Sequence, residues 1–321
     1  MPMRPEIYYD RSVAPDCLEL FLPGGDLHEL VRIARKGHLV DLQFRSYPHS
    51  TSSRATLYCG LTKFLDIDKR GEHYRLSANR TFMDRAPGIR WTEVLDLDEV
   101  LVQRSELFQY IDTQVREVAE RFTREGAVQS MLCLHAGELF SVVDREAVVG
   151  FRNEPTRTEH YAKVRESLEV PLRRAIGHEP WATAIPKFGG ELDILAVGHG
   201  GGLLVIEVKP GTTRKGITWA GLQAKFYAGL FRAWIDYVGD DDAKDTVDRM
   251  LRQRIEIGLA DEPRRELEKP IRITPIVAIG GRPDELGLER LVIVREALSD
   301  VGDGDLEIWK VKPSVTRERI P

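Results

Sequence analysis

Cysteine is scarce in this chain, and its spacing is not that of a metal-binding or disulfide-rich domain. Cys17, Cys59 and Cys133 lie far apart, and no C-x-x-C pair is present. Zinc modules and disulfide-stapled secreted domains both need cysteines in closely spaced sets. The pattern argues against both classes and predicts a protein of a reducing compartment.

Long apolar runs and an excess of cations are also missing. No stretch approaches the ~20 apolar residues of a membrane-spanning helix, and the N-terminal segment MPMRPEIYYDRS has no apolar signal region. We therefore expect a cytoplasmic protein that makes no membrane contact. The formal net charge is −5, so any surface that binds a polyanion must be a local one.

The chain is long enough for two domains of ordinary composition. It has 321 residues, of which 42% are hydrophobic and 30% are charged. The polar segment FRNEPTRT, with a proline inside it, predicts a boundary. We expect an N-terminal α+β domain over residues 1–152 and a second domain over residues 153–321.

The N-terminal domain shows several strand-like runs and one segment with the apolar spacing of a helix, but no cluster of catalytic residue types. Arginines such as Arg45, Arg54 and Arg80 are scattered groups that could meet phosphate or could be plain solvated surface. The predicted strands are 39–44, 55–59, 64–68, 73–76, 130–134 and 138–143, and the predicted helix is 106–124.

In the second domain, helical and strand-like segments alternate. A helical stripe begins near Glu159 and ends at Gly177, with Pro171 as a kink or the first turn of a second helix. Another helix begins near Thr218. Strand-like runs follow at residues 271–274, 276–279, 291–294 and 306–311. This alternation predicts an α/β sandwich with a mixed sheet between helices.

Two apolar runs, ELDILAV and LLVIEVK, flank a glycine-rich turn and predict a β-hairpin. With the turn centred on Gly200, Asp193 lies directly opposite Glu207. Like charges at such a position are destabilising, so we expect a cation between the two carboxylates. Because side chains alternate along a strand, Glu207 and Lys209 share one face, while Val208 packs on the other. Two carboxylates beside a lysine form an oxygen-rich site of the kind that Mg²⁺ accepts.

The ordered set Asp193, Glu207-Val208-Lys209 and Gln223-Ala-Lys-Phe-Tyr227 resembles the PD-(D/E)XK nucleases, in particular the subset with a Q-x-x-x-Y motif on the following helix. Leu192 stands where the motif's name places proline. The resemblance covers the second half of the chain. It implies a restriction-endonuclease-like α/β/α core with a mixed central sheet, and Mg²⁺-dependent hydrolysis of nucleic-acid phosphodiesters, mostly DNA, with Mn²⁺ as a substitute.

The resemblance also implies roles for individual residues. Asp193, Glu207 and the carbonyl of Val208 would bind the metal, and Lys209 would stabilise the attacking water or the charge on phosphorus. Glu166 would serve from the preceding helix, with Glu169 and Glu159 as alternatives, and Gln223 from the following one. From the residues themselves, the groups expected to contact substrate phosphate are Arg214 and Lys215 in the loop after Lys209, and Tyr227. The loop could equally be a solvated connector.

Other interpretations stay open at this point. The charged residues of the hairpin could form a solvated surface cluster without chemistry. A nuclease fold that has lost catalysis would bind nucleic acid or a protein partner, and an active enzyme could take RNA. The N-terminal domain would serve recognition or partner binding, the biological role could be restriction or repair, and double-strand cutting would favour a homodimer.

Overall fold

The computed structural model describes residues 5–36, 40–46, 52–120, 124–135, 139–260, 266–311 and 317–319. These residues form twelve strands and ten α-helices. The strands are β1 (Ile7–Tyr8), β2 (Val40–Ser46), β3 (Ser52–Cys59), β4 (Thr62–Arg70), β5 (His73–Ser77), β6 (Phe140–Ala147), β7 (Gly150–Phe151), β8 (Leu192–Gly198), β9 (Leu203–Pro210), β10 (Ile273–Gly280), β11 (Glu307–Val311) and β12 (Arg317–Arg319). The helices are α1 (Pro15–Leu18), α2 (His28–Lys36), α3 (Arg80–Met83), α4 (Leu97–Val102), α5 (Arg104–Glu120), α6 (Arg124–His135), α7 (Glu154–Ile176), α8 (Arg214–Val238), α9 (Asp240–Glu256) and α10 (Glu285–Ala297).

The chain divides into two compact units. The first, called here the six-strand unit, contains Met1–Tyr9, Glu138–Asp248 and Arg265–Pro321. The second, the four-strand unit, contains Asp10–Gly137 and Arg249–Arg264. These limits differ from the expected boundary after residue 152. Strand β6 pairs with β8 and strand β1 pairs with β7, so backbone hydrogen bonding draws both segments into the six-strand unit. Among the described residues, no helix is long and apolar enough to cross a membrane.

The six-strand unit is built on a mixed sheet with the strand order β12-β11-β10-β9-β8-β6. Strand β9 pairs antiparallel with β8 and parallel with β10, and β10 pairs parallel with β11. The β8–β9 hairpin therefore lies in the middle of the sheet. The mixed α/β class predicted from the sequence is confirmed.

Helices α7, α8 and α10 pack together beside this sheet. Apolar residues of α8, including Ile217 and Ala220, form a core cluster with Val277 and Ile279 of β10. Helix α7 begins five residues earlier than predicted, because the Asn153 side chain accepts a hydrogen bond from the Thr156 backbone N–H and caps it. The helix runs through Pro171 to Ile176.

Two segments predicted as strands are helical. Residues 291–294, Leu-Val-Ile-Val, lie inside α10, where Leu291 and Val294 are buried and the two residues between them are half-buried. The side chain of Asp284 caps this helix by accepting from the Gly287 N–H at 2.8 Å. Residues 130–134 lie inside α6. A short apolar run fits a buried helix face as well as a strand, and tertiary packing decides between them.

The four-strand unit contains an antiparallel sheet with the strand order β2-β3-β4-β5. One face is apolar, because residues such as Leu42, Leu57, Leu65 and Leu76 alternate inward and join a single core with α2 and α5. The opposite face is polar in all four strands. Of the expected helix 106–124, residues 106–120 lie in α5, residues 121–123 lie outside the described part of the chain, and Arg124 begins α6.

Candidate active site

The β8–β9 hairpin has the register that the sequence predicts. Leu195 pairs with Val205 and Ile194 with Ile206, and the Gly198 N–H donates to the Gly202 carbonyl at 3.0 Å in the turn. One further step in the same register brings Asp193 opposite Glu207. The two acidic residues therefore lie next to each other at the open end of the hairpin.

The ladder between the two strands ends at this point. The next N–H of β9 that faces β8 belongs to Val208, and it donates to Oδ2 of Asp193 at 2.7 Å. Because the N–H and C=O of one strand residue face the same neighbouring strand, the Val208 carbonyl also lies on the Asp193 side. The Val208 side chain is fully buried, as predicted. Asp193 is thus fixed by backbone, with the Val208 carbonyl beside it.

Glu207 and Lys209 form an ion pair on the face of β9 that α8 covers. The Lys209 ammonium donates to Oε1 of Glu207. The side chain of Glu207 is 2% exposed and that of Lys209 is 14% exposed. Lys209 passes close to Gly216 in the first turn of α8. Counted formally, two carboxylates and one ammonium give this cluster a charge of −1, and an additional cation nearby would stabilise the charged carboxylates.

Gln223 and Tyr227 lie one turn apart on α8 and contact each other. The Gln223 side-chain amide donates to the Tyr227 hydroxyl at 3.2 Å, and that hydroxyl donates to the Gly189 carbonyl at 3.2 Å. Burial raises the pKa of Tyr227, and the negative charge of Glu207 and then of Asp193 raises it further. The Tyr227 hydroxyl therefore stays protonated. Through its hydrogen bond to Gly189, it holds the segment that leads into Asp193.

The glutamates predicted on α7 do not reach this cluster. Tyr161, Val164 and Leu168 of α7 point towards α8 or the loop behind it. Glu166 is about 200° around the helix from both Val164 and Leu168, and it is exposed. Glu159 is likewise exposed, and Glu169 accepts hydrogen bonds from Arg165 and Arg173. Glu166 was predicted from its distance to Gly177 at the end of the helix, but that distance does not determine which face of α7 packs against α8.

The residue that α7 does bring to the site is Tyr161, which the sequence reasoning missed. Its ring meets Phe226 edge-on at 5.3 Å, and its hydroxyl lies so close to Gly190 that a Cβ there would approach it to 2.7 Å. The only signal for this contact in the sequence is the pair Gly189-Gly190 just before β8. The absence of side chains there lets Tyr161 and Tyr227 approach the backbone.

The groups expected to contact substrate phosphate occupy different environments. Arg214 forms a two-bonded ion pair with Asp284, at 2.9 and 3.2 Å, and so ties the start of α8 to the cap of α10. Lys215 is exposed in the first turn of α8. The Tyr227 hydroxyl is engaged by Gln223 and Gly189. Of the three, Lys215 is an exposed cation with no ion-pair partner among the described residues.

Among the residues that the structure describes, no three His, Cys, Asp or Glu side chains assemble into a metal-binding group. Asp193 and Glu207 supply two carboxylates, and the Val208 carbonyl supplies a third oxygen. Mg²⁺ typically keeps several water ligands and uses only one or two carboxylates of the protein. The donor set is therefore too small for a closed metal cage but fits a hydrated Mg²⁺.

Comparisons of this chain with models of protein families, with curated proteins and with solved structures gave no match. The chemistry of the cluster is therefore judged on its own geometry. It offers a fixed carboxylate, a buried carboxylate paired with a lysine, and an amide and tyrosine network beside them. Such an arrangement can bind a hard cation and direct one ammonium group at an anion next to it.

Proposed function

We propose that this protein is a Mg²⁺-dependent nuclease that hydrolyses phosphodiester bonds of DNA, with a restriction-endonuclease-like core in its six-strand unit. The observation that supports this most is the convergence of Asp193, Glu207 and Lys209 where the β8–β9 ladder opens. A solvated surface cluster would not bury Glu207 to 2% exposure in the middle of a sheet.

Each side chain of the cluster has a distinct part in this proposal. Asp193 and Glu207, with the Val208 carbonyl, would hold the ion. When bound, Mg²⁺ would supply Lewis-acid stabilisation of the phosphate charge and make water more acidic. Lys209, which already donates to Glu207, would donate a hydrogen bond to a phosphate oxygen and stabilise the negative charge that develops there.

The second helix supports this arrangement. The Gln223 amide donates to Tyr227, which leaves its Oε1 to accept a hydrogen bond from a water molecule and orient it. Tyr227 holds the Gly189 carbonyl, and through it the segment leading to Asp193. Glu166 takes no part, because it is exposed on the far side of α7.

The test is cleavage of supercoiled plasmid and of fluorescent duplex oligonucleotides, with Mg²⁺ or with EDTA. We expect cleavage with Mg²⁺ alone, and a loss of at least 100-fold in Asp193→Asn and in Lys209→Ala, because both charges act on the reacting phosphate. Mn²⁺ should substitute for Mg²⁺.

Glu166→Gln is the matched control, since it removes a carboxylate of the same unit that lies on the outer side of α7; its rate should equal that of the wild type. Cleavage that persists in both Asp193→Asn and Lys209→Ala would exclude this site. Binding of DNA without any cleavage would favour a nuclease fold that only binds, and preferential cleavage of RNA would change the substrate.

A further inference from the structure

The polar face of the four-strand unit carries a row of arginines that the sequence shows only as scattered residues. Strand pairing sets Arg45 opposite Arg54, Arg54 opposite Asp68, and Asp68 opposite Arg75. We call these four residues the arginine row. Because side chains of paired residues lie on the same face, the row crosses all four strands on one side of the sheet.

The surroundings of the row leave an excess of positive charge. Arg70 lies one position further along β4 on the same face, opposite His73, and Asp66 lies on the other side of Asp68. Four arginines against two aspartates give a local surplus of two positive charges. The whole chain, by contrast, has a formal net charge of −5. The face is therefore locally positive although the chain as a whole is negative.

The two aspartates offset part of the positive charge and hold Arg54 in one orientation. Asp68 accepts two hydrogen bonds from Arg54, at 2.6 and 3.1 Å, and Asp66 lies 3.8 Å from the same guanidinium. Arg45 donates to the Tyr58 hydroxyl at 2.9 Å. Arg54 and Arg45 are thus fixed in orientation, which lowers the entropy lost when they meet an anion.

The exposed end of the face is open to a partner. Arg70, His73 and Arg75 are exposed, and the described part of the chain provides no ion pair for either arginine. The opposite end is closed, because Gln43 is buried and accepts a hydrogen bond from the buried Arg254 at 3.0 Å. A partner would therefore approach over β4 and β5.

The chemistry of the face selects a polyanion. The described residues with large exposed apolar side chains all lie outside strands β2 to β5, whereas protein interfaces usually depend on buried aromatic or aliphatic anchors. Neighbouring strands are about 4.8 Å apart, so the row spans about 14 Å. This length is close to the ~12 Å width of the B-DNA major groove, which separates phosphates of the two strands.

We propose that the arginine row, with Arg70, binds the phosphate backbone of duplex DNA. The choice of DNA over RNA rests on the proposed nuclease function and on the groove width, while the binding of phosphate rests on the sheet face alone. Contacts to phosphate carry no sequence information, so binding through this face should be independent of sequence.

The experiment measures fluorescence anisotropy of a labelled 20-base-pair duplex with the full-length protein, in EDTA to prevent cleavage, between about 50 and 200 mM salt. The variant Arg70→Ala/Arg75→Ala should bind at least tenfold more weakly. Its slope of log K against log salt should be shallower by about 2, because two phosphate contacts are lost.

The control is Arg32→Ala/Arg116→Ala, which removes two exposed arginines of the same unit that pair with acids on their own helices. Its affinity should stay within twofold of the wild type. Thermal unfolding of both variants should match the wild type, since all four side chains are exposed.

Three outcomes would overturn the proposal: a wild-type protein that does not bind the duplex, an Arg70→Ala/Arg75→Ala variant with unchanged affinity and salt slope, or an A-form RNA duplex that binds equally well or better. Failure of the proposed function looks different. In that case the wild type binds and Arg70→Ala/Arg75→Ala binds at least tenfold more weakly, but no cleavage appears when Mg²⁺ is added.

Discussion

At the scale of single residues, the pair Glu207–Lys209 is the most demanding feature of the molecule. A carboxylate at 2% exposure is stable in its charged form only when a partner compensates for lost hydration. Lys209 provides that compensation, and it does so from a position that remains 14% exposed. The same ammonium group is the one that the proposed function directs at the substrate.

We therefore predict that Lys209→Met lowers the free energy of unfolding in EDTA by about 3 kcal/mol, because it leaves the Glu207 charge buried without its lysine. The double variant Glu207→Gln/Lys209→Met should recover most of this loss, since the buried charge is gone. A double-mutant cycle of the wild type, Lys209→Met, Glu207→Gln and the double variant, followed by urea unfolding, measures the coupling free energy between the two side chains. Strictly additive effects would show that the pair is not energetically coupled.

At the scale of elements, helix α8 uses one face for the candidate site and the opposite face to hold a loop. Gln223 and Tyr227 face the acidic pair, while Lys225, about 200° from Gln223, points the other way. Its ammonium donates to the carbonyls of Val301 and Gly304 at 2.7 and 2.6 Å. Burial lowers the pKa of Lys225, and the negative charges of Asp305 and Asp303 oppose this shift. Lys225 therefore holds the loop between α10 and β11.

Lys225→Met should destabilise the protein by about 1–3 kcal/mol, because it removes charge-assisted hydrogen bonds from a buried position. Amide hydrogen exchange in residues 298–305 should become faster, while Mg²⁺-dependent cleavage per folded molecule stays unchanged. Lys163→Met, at an exposed position of α7, is the control and should change stability by less than about 0.5 kcal/mol. Loss of cleavage in a folded Lys225→Met protein would show that Lys225 serves the site itself.

At the scale of the whole molecule, the proposed binding of Mg²⁺ would be linked to folding. A ligand that binds only the folded state stabilises it by RT ln(1 + [L]/Kd), which is about 2.7 kcal/mol at 100 times Kd. Two acidic residues brought together from separate strands exist as a site only in the folded six-strand unit. The stability of the chain should therefore depend on Mg²⁺ even when no nucleic acid is present.

We predict that saturating Mg²⁺ raises the melting temperature of the wild type by several degrees and that Asp193→Asn abolishes the rise. Differential scanning calorimetry measures both, with NaCl of equal ionic strength as the control for screening. A protein that binds metal without cutting would show the same rise, so this measurement separates metal binding from catalysis. An equal rise in Asp193→Asn would place the ion elsewhere.

The sequence by itself determined the features that depend on neighbouring residues. A glycine-rich turn between two apolar runs fixes the hairpin register, and the two-residue period of a strand fixes which side chains share a face. Asp193, Glu207, Lys209 and the Gln223–Tyr227 pair could therefore be assigned to their elements and faces in advance. The mixed α/β class followed from the alternation of the same local patterns.

Only the tertiary structure decided which distant segments meet. Because β6 pairs with β8, residues 138–152 belong to the six-strand unit and not to the N-terminal domain. Residues 291–294 form part of a helix, because two of their side chains are buried on one helical face. The packed face of α7 brought Tyr161 rather than Glu166 to the site, and antiparallel pairing joined Arg45, Arg54 and Arg75 into one row. These outcomes depend on contacts between residues far apart in the chain. The free energy of such contacts comes from burial and pairing, which no local pattern contains.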